Sequence, residues 1–330
     1  MTSASNSVDF VRSVYCLLPS LFNVEAISSS SAQTPNLDQL ARSCRRLESP
    51  PLSIGQVLQQ ALGLDQKNDF PSGALRYAGL GGDPGRAVWA QLQPVHFRPD
   101  RDRLLVFPLE GASAIPPQGL LDHLNSHFAE DGCHFVSLNG EWFVRFDSPL
   151  SAVTSSLSEA RRKGVEEAMP HGEDARLLKR LLTEMQMLLA QMVLPGQQQA
   201  LFNGFWISGL GSLESIGALQ NQLQLVGDSP LLDGLRQLMG QAPVSMQEIE
   251  LSRPAVVFTE SPEETAIAEA ETLFGHLLAG KLRKLVIADE SGDSLVYKRP
   301  LVYPFWRKDG WRSLLEAEIA AGLLNEQDMM

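Results

Sequence analysis

Apolar and polar positions change their spacing several times along the chain, and each change marks an element. Between Lys284 and Asp293 four apolar residues in succession, Leu285 to Ala288, run straight into Asp289, Glu290, Gly292 and Asp293. An unbroken apolar run of this length reads as a strand buried on both faces, here ending in a turn crowded with carboxylates. Phe10 to Leu18 has strand character too and predicts the first core strand, and Ala255 to Phe258 predicts a short buried one. Helical spacing appears from Thr34. Pro35 suits the first helical position, Thr34 its N-cap, and Leu37, Leu40 and Ala41 form an apolar stripe in a helix running toward Leu47. After a break at Pro50 and Pro51, Ile54 to Leu64 predicts a second helix.

The middle of the chain alternates differently. Gly79 to Arg86 (GLGGDPGR) predicts a turn, since it has Gly and Pro for special backbone angles but no Lys-Ser/Thr to make a phosphate loop. Strands are expected at Ala87 to Phe97, Arg103 to Phe107, His134 to Leu138 and Trp142 to Phe146. A helix from Gly119 to Ala129 turns Leu121, Leu124 and Phe128 inward. This run has the pattern of a compact α+β unit inserted into a larger fold. A long helix from Asp174 to Met192 follows, and its stripe of Leu178, Leu181, Met185, Leu188 and Met192 steps by three and four, as core packing requires. Asn203 to Ser208 reads as a strand ending in Gly209 and Gly211, Glu263 to Ala279 as a helix, and Ser313 to Leu324 as a last helix.

At 330 residues the chain exceeds one average domain and can bury a sizeable core. Its net charge of -12, from 39 acidic and 27 basic side chains, is spread along the whole length, which favours solubility and argues against nucleic acid as the main partner. Cys16, Cys44 and Cys133 form no CxxC pair, a pattern suited to a reducing cytoplasm. The apolar run from Val14 to Phe22 is interrupted by Pro19 and is too short to span a bilayer. A cytoplasmic protein without a membrane partner is expected.

Three constellations add candidate chemistry. The carboxylates after Ala288 stand where open α/β sheets hold ligands and metals, outside the carboxyl ends of strands. His123 and His127 lie four apart on an expected helix with His134 close by, a spacing that suits zinc, but no Glu stands between them in the HExxH manner and surface helices often carry two histidines. Arg98, Arg101 and Arg103, joined by Arg76 and Arg145, could hold an anionic substrate, while the interleaved Asp100 and Asp102 make a solvated, mutually paired turn the simpler reading. The Gly-x-Ser-x-Gly elbow of a serine hydrolase does not occur.

Several stretches, in order along most of the chain, resemble the archaeal-type cofactor-independent phosphoglycerate mutases of the alkaline phosphatase superfamily. TPNLDQLA (Thr34 to Ala41) is similar to that superfamily's first helix, and Gly73 to Asp102 to the segment entering the strand before the family's inserted domain. NGFWISGLG (Asn203 to Gly211) resembles the family's Asn strand and glycine pair, and VIADESGD (Val286 to Asp293) its metal-binding strand end, usually Asp-His-Gly. NGFWISGLG and EMQMLL (Glu184 to Leu189) also resemble a bacterial branch of phosphoglycerate mutase-like or regulatory proteins. The resemblance implies an α/β fold. An alkaline-phosphatase-like core sheet flanked by helices takes residues 1–90 and 200–330, and an inserted smaller α+β subdomain with the long helix takes residues 91–199.

The family's chemistry uses two divalent metals held by Asp and His, which activate a Ser or Thr nucleophile. Here Leu18-Pro19-Ser20 follows the first strand in place of Asp-Gly, Glu260, Glu263 and Glu264 stand where an Asp and a His are implied, and Glu290 replaces the last His. The expectation is a phosphoglycerate mutase-like pseudoenzyme that needs no cofactor and acts as a regulatory or binding protein toward a protein partner. The aromatic tail from Val302 to Leu324 is its candidate docking surface. The alternative is a phosphoryl-transfer enzyme with a rebuilt carboxylate site. In it Asp289, Glu290, Asp293 and Glu260 hold magnesium or manganese, Ser49 or Ser53 is the nucleophile, and Asn203 with Arg98 or Arg76 orients the phosphate.

Overall fold

Two sheets of opposite character organise the chain, one largely parallel and one antiparallel. The computed structural model describes residues 13–18, 34–42, 44–46, 53–65, 67–101, 103–109, 119–191, 202–216, 223–260, 263–279, 284–288, 294–298 and 310. In chain order the elements are β1 (Ser13–Leu17), α1 (Pro35–Ala41), β2 (Cys44–Arg46), α2 (Ile54–Ala61), α3 (Ser72–Gly79), β3 (Val88–Asp100), β4 (Arg103–Pro108), α4 (Leu120–His127), β5 (Cys133–Leu138), β6 (Glu141–Phe146), β7 (Ala152–Val153), α5 (Leu157–Lys163), α6 (Val165–Ala168), β8 (His171–Gly172), α7 (Ala175–Gln191), β9 (Gly204–Gly211), β10 (Gln224–Val226), α8 (Pro230–Met239), β11 (Ala255–Phe258), α9 (Glu263–Ala279), β12 (Lys284–Ala288) and β13 (Ser294–Lys298). They fall into two compact units. Residues 1–63, 220–229 and 242–330 make the first, and residues 64–219 and 230–241 the second.

In the first unit six strands run in the order β10-β11-β1-β12-β13-β2. The first four are mutually parallel, and β13 and β2 extend the sheet antiparallel. Parallel strands are covered on both faces, which is why they read as unbroken apolar runs. All of β11, and Leu285 to Ala288 of β12, are buried accordingly. On one face Val14, Cys16 and Leu18 meet Leu37 and Leu40 of α1 and Ile267, Ala270, Phe274 and Leu277 of α9. β11 and β12 lie on opposite sides of β1, and α9 joins them, so this helix covers the strand it crosses.

Two local expectations change here. Thr34 makes no capping bond. The start of α1 is instead satisfied by Glu271 of α9, whose carboxylate accepts from the Asn36 N–H at 2.6 Å and the Leu37 N–H at 3.0 Å. A carboxylate at that end satisfies open backbone donors and suits the helix dipole. Cys44 to Arg46, expected inside the helix, is the strand β2, because the edge of β13 offers those three residues an antiparallel partner.

The second unit holds an antiparallel sheet in the order β4-β3-β6-β5, with β9 also paired to β3. Leu92, Trp142, Phe205 and Ile207 on one face pack with Leu124 of α4 and Leu178, Leu181 and Met185 of α7, the stripe the sequence predicts. NGFWISGLG, expected in the core sheet, lies here. β9 is buried at seven of its eight residues, and it finds cover on both faces beside β3, with Phe205 and Ile207 facing α7 and Trp206 packing with Val95 and Ala160. The second unit runs over residues 64–219 and takes in α8 with residues 230–241. GLGGDPGR closes α3 and turns. A Cβ on Gly79 would come within 1.9 Å of the Pro230 carbonyl oxygen, so that glycine serves the packing of α3 on α8. Met192, the helix expected at residues 313–324 and the docking tail apart from Gly310 lie outside the described residues. Among the described residues no helix is long and apolar enough to cross a membrane.

Candidate functional site

Because β10, β11, β1 and β12 are parallel, their carboxyl ends emerge along one edge, the place where open α/β sheets present binding groups. At the end of β1 stands Leu18, wholly buried, with its N–H donating to the Ala288 carbonyl at 3.1 Å. Beyond β10 the chain reads Gly227-Asp228-Ser229, and beyond β11 Thr259-Glu260. Gly227 adopts φ +113°, and a Cβ there would lie 2.0 Å from the Phe258 carbonyl oxygen. Only glycine lets the two strand ends approach this closely. The Glu260 N–H then donates to the Asp228 carbonyl at 3.3 Å, and the fully buried Ser229 hydroxyl donates to Glu260 Oε1 at 2.8 Å. Next to these ends a cleft of about 450 Å³ opens, bounded by Gly227, Asp228 and Thr259 on the sheet side, by Glu269 and Thr272 of α9, and by residues 244–247. That last segment covers the sheet edge. Val226 bridges to Val244, and the Gln224 side-chain amide clasps Glu250 through both its N–H and its carbonyl, each at 2.9 Å.

The sequence-predicted site residues that are described each have a local partner. Ser53 caps α2, its hydroxyl accepting from the Gln56 N–H at 3.3 Å in a capping box. Glu260 is held by Ser229 as described. Asn203 lies at the start of β9, and its side chain accepts from the Phe97 N–H at 2.6 Å and donates to the Phe97 carbonyl at 2.8 Å, imitating one more residue of the strand ladder. Arg76 on α3 makes a bidentate pair with Glu141 at 2.8 and 2.7 Å, and Arg98 lies 5.0 Å over the Phe107 ring. Ser49, Asp289, Glu290 and Asp293 lie outside the described residues. Of the histidines, His127 stands 3.7 Å from Glu184, and His134 bonds Asp147 at 2.9 Å and holds that carboxyl below the usual range. Among the described residues no three His, Cys, Asp or Glu side chains gather as a metal would need. At the described strand ends Leu18 is apolar, and Glu260 accepts a hydrogen bond from Ser229.

One carboxyl that sequence reasoning passes over is the most strongly engaged in the second unit. Asp69 accepts from the Thr154 N–H at 3.0 Å, from the Thr154 hydroxyl, from the Leu210 N–H at 3.1 Å and from the Phe70 backbone. Burial pushes it up to about 6 against the pull of these bonds. Its setting, DQKNDF, reads as a polar turn, and no periodicity marks it. Asp228 and Glu269 are also invisible in the sequence, because the strand end that exposes one and the helix that brings up the other are 41 positions apart.

Neither a protein-family model nor a curated protein matches the chain. Among solved structures it is similar to the PH0037 protein from Pyrococcus horikoshii, at 15% identity over 92% of each chain with a TM-score of 0.41. It is likewise similar to the cofactor-independent phosphoglycerate mutase from Thermoplasma acidophilum, at 14% identity over 92% of this chain and 94% of that one, again with a TM-score of 0.41. At this score the likeness transfers no activity.

Proposed function

We propose that this protein is a phosphoglycerate mutase-like protein that has lost the two-metal reaction and acts by binding, in a regulatory role, through the carboxyl edge of its parallel sheet. The observation that carries this reading is the end of β1. Where the sequence resemblance implies a metal-binding Asp-Gly, Leu18 is fully buried among Leu37, Ile287 and Phe274, a position at which a carboxylate is strongly disfavoured. Of the other candidate groups, Ser53 is engaged in a helix cap, Asn203 in a strand ladder and Arg76 with Glu141. A protein partner engaging residues 302–324 fits the same reading.

A second reading, metal-dependent phosphoryl transfer with magnesium or manganese, is favoured by one feature. β11 and β12 flank β1 and run parallel to it, and in the sequence Glu260 follows the end of the first and Asp289 the end of the second. Metal content after dialysis, with phosphoglycerate interconversion and phosphomonoester hydrolysis assayed in added manganese, separates the two. No turnover above background is expected. Near-stoichiometric metal and a turnover abolished by Asp289→Ala would overturn the non-catalytic reading.

A further inference from the structure

We propose that the cleft between the carboxyl ends of β10 and β11, α9 and residues 244–247 binds a small organic cation, an alkylammonium group on a short apolar body. The inference rests on the reading of this edge as a binding site and names the class of ligand it takes. At about 450 Å³ the cleft is within the range of small-molecule sites. Two of its hydroxyl groups are already committed. The Ser245 hydroxyl donates to Glu248 at 2.7 Å, and the Thr272 hydroxyl to the Ala268 carbonyl at 3.0 Å. Among the described residues, the carboxylates of Asp228 and Glu269 have neither a hydrogen bond nor an ion pair, although both line the cleft. The rest of the wall includes Val244, Met246 and Ala268, which offer apolar contact.

This combination selects by charge and by shape. Among the described residues no Arg, Lys or His lines the cleft, so a phosphate or carboxylate ligand would meet like charge from Asp228 and Glu269. Two carboxylates with no third His, Cys, Asp or Glu gathered among the described residues make a poor cage for a divalent metal, which takes six or more oxygens or a tetrahedral set. An ammonium group needs only charge-assisted hydrogen bonds from one or two carboxylates, and its carbon chain can lie on Val244 and Met246.

Titration calorimetry of the full chain with 1,4-diaminobutane tests this, with 1-butanol and inorganic phosphate as controls. Saturable binding of the diamine alone is expected, weakened about tenfold or more by Asp228→Asn or Glu269→Gln and strongly reduced at about 0.5 M salt. Both substituted positions are on the surface of the fold, and unchanged melting temperatures establish that the variants are folded. The proposal is overturned if no saturable heat appears up to about 10 mM diamine, if 1-butanol binds equally well, or if the double variant binds like the wild type. Phosphoryl-transfer turnover alongside undiminished diamine binding supports the cleft assignment and overturns only the non-catalytic reading. Absent binding alongside absent turnover does the reverse.

Discussion

The antiparallel sheet of the second unit and the cleft beside β10 and β11 treat their polar side chains differently. In the antiparallel sheet of the second unit, polar residues complete the backbone. Asn203 clasps Phe97, Asn125 clasps Phe135 at 2.9 and 2.7 Å, and Asp69 gathers donors from three stretches of chain. At the carboxyl edge of the parallel sheet, Asp228 and Glu269 face a cleft without such partners among the described residues. The difference follows from connectivity. Antiparallel strands are joined by hairpins and leave few loose ends, whereas parallel strands all end on one edge and return by crossovers, so their loops collect there. Being polar therefore does not by itself tell whether a side chain serves the fold or faces a cleft.

The largest expected effect breaks this contrast on the structural side. Asp69→Ala leaves the Thr154 and Leu210 N–H groups buried without an acceptor and should cost about 3 kcal/mol or more in urea unfolding. A loss under about 1 kcal/mol would mean that Asp69 does not hold these segments together. The same residue sets a pH dependence. Its carboxyl is raised to about 6 in the folded protein, so the native state holds a proton that the unfolded chain has released. The stability it adds is fully present below its ordinary value of 3.8 and is lost as pH rises through about 6. Wild type should thus lose stability between these limits relative to Asp69→Asn, which has no such group. Parallel profiles for the two proteins would contradict the assignment.

Smaller effects sharpen the contrast. Asn203→Ala removes two hydrogen bonds to Phe97 and is expected to cost about 1–2 kcal/mol by chemical denaturation. Ser53→Ala removes a helix cap and should cost about 1 kcal/mol, lowering the melting temperature by a few degrees. A fold left unchanged in stability would undo the capping role assigned to Ser53. Smallest of all, Asp228→Asn should fall within about 0.5 kcal/mol of wild type, as befits a surface carboxylate whose partner is a ligand rather than the fold.

Much of the architecture is legible in the chain. The unbroken apolar runs at Ala255 to Phe258 and Leu285 to Ala288 are buried parallel strands, and the helix from Glu263 to Ala279 has the expected bounds. What local pattern misread was partnership. Cys44 to Arg46 continues a helical stretch in sequence yet joins a sheet edge, and NGFWISGLG has the apolar density of a core strand but pairs with β3. Periodicity reports which faces are buried and is silent on which strand lies alongside.

The candidate site divides in the same way. Sequence alone placed carboxylates after β12 and a Leu after β1, because strand ends are local properties of the backbone. Tertiary structure decided the rest. It put Glu271 on the start of α1, Ser229 on Glu260, four hydrogen bonds on Asp69, and Asp228 and Glu269 on one cleft. Each of these joins residues from different elements. A side chain's partner, and with it its charge state and its availability to a ligand, is set by which elements pack together, and no spacing along the chain encodes that.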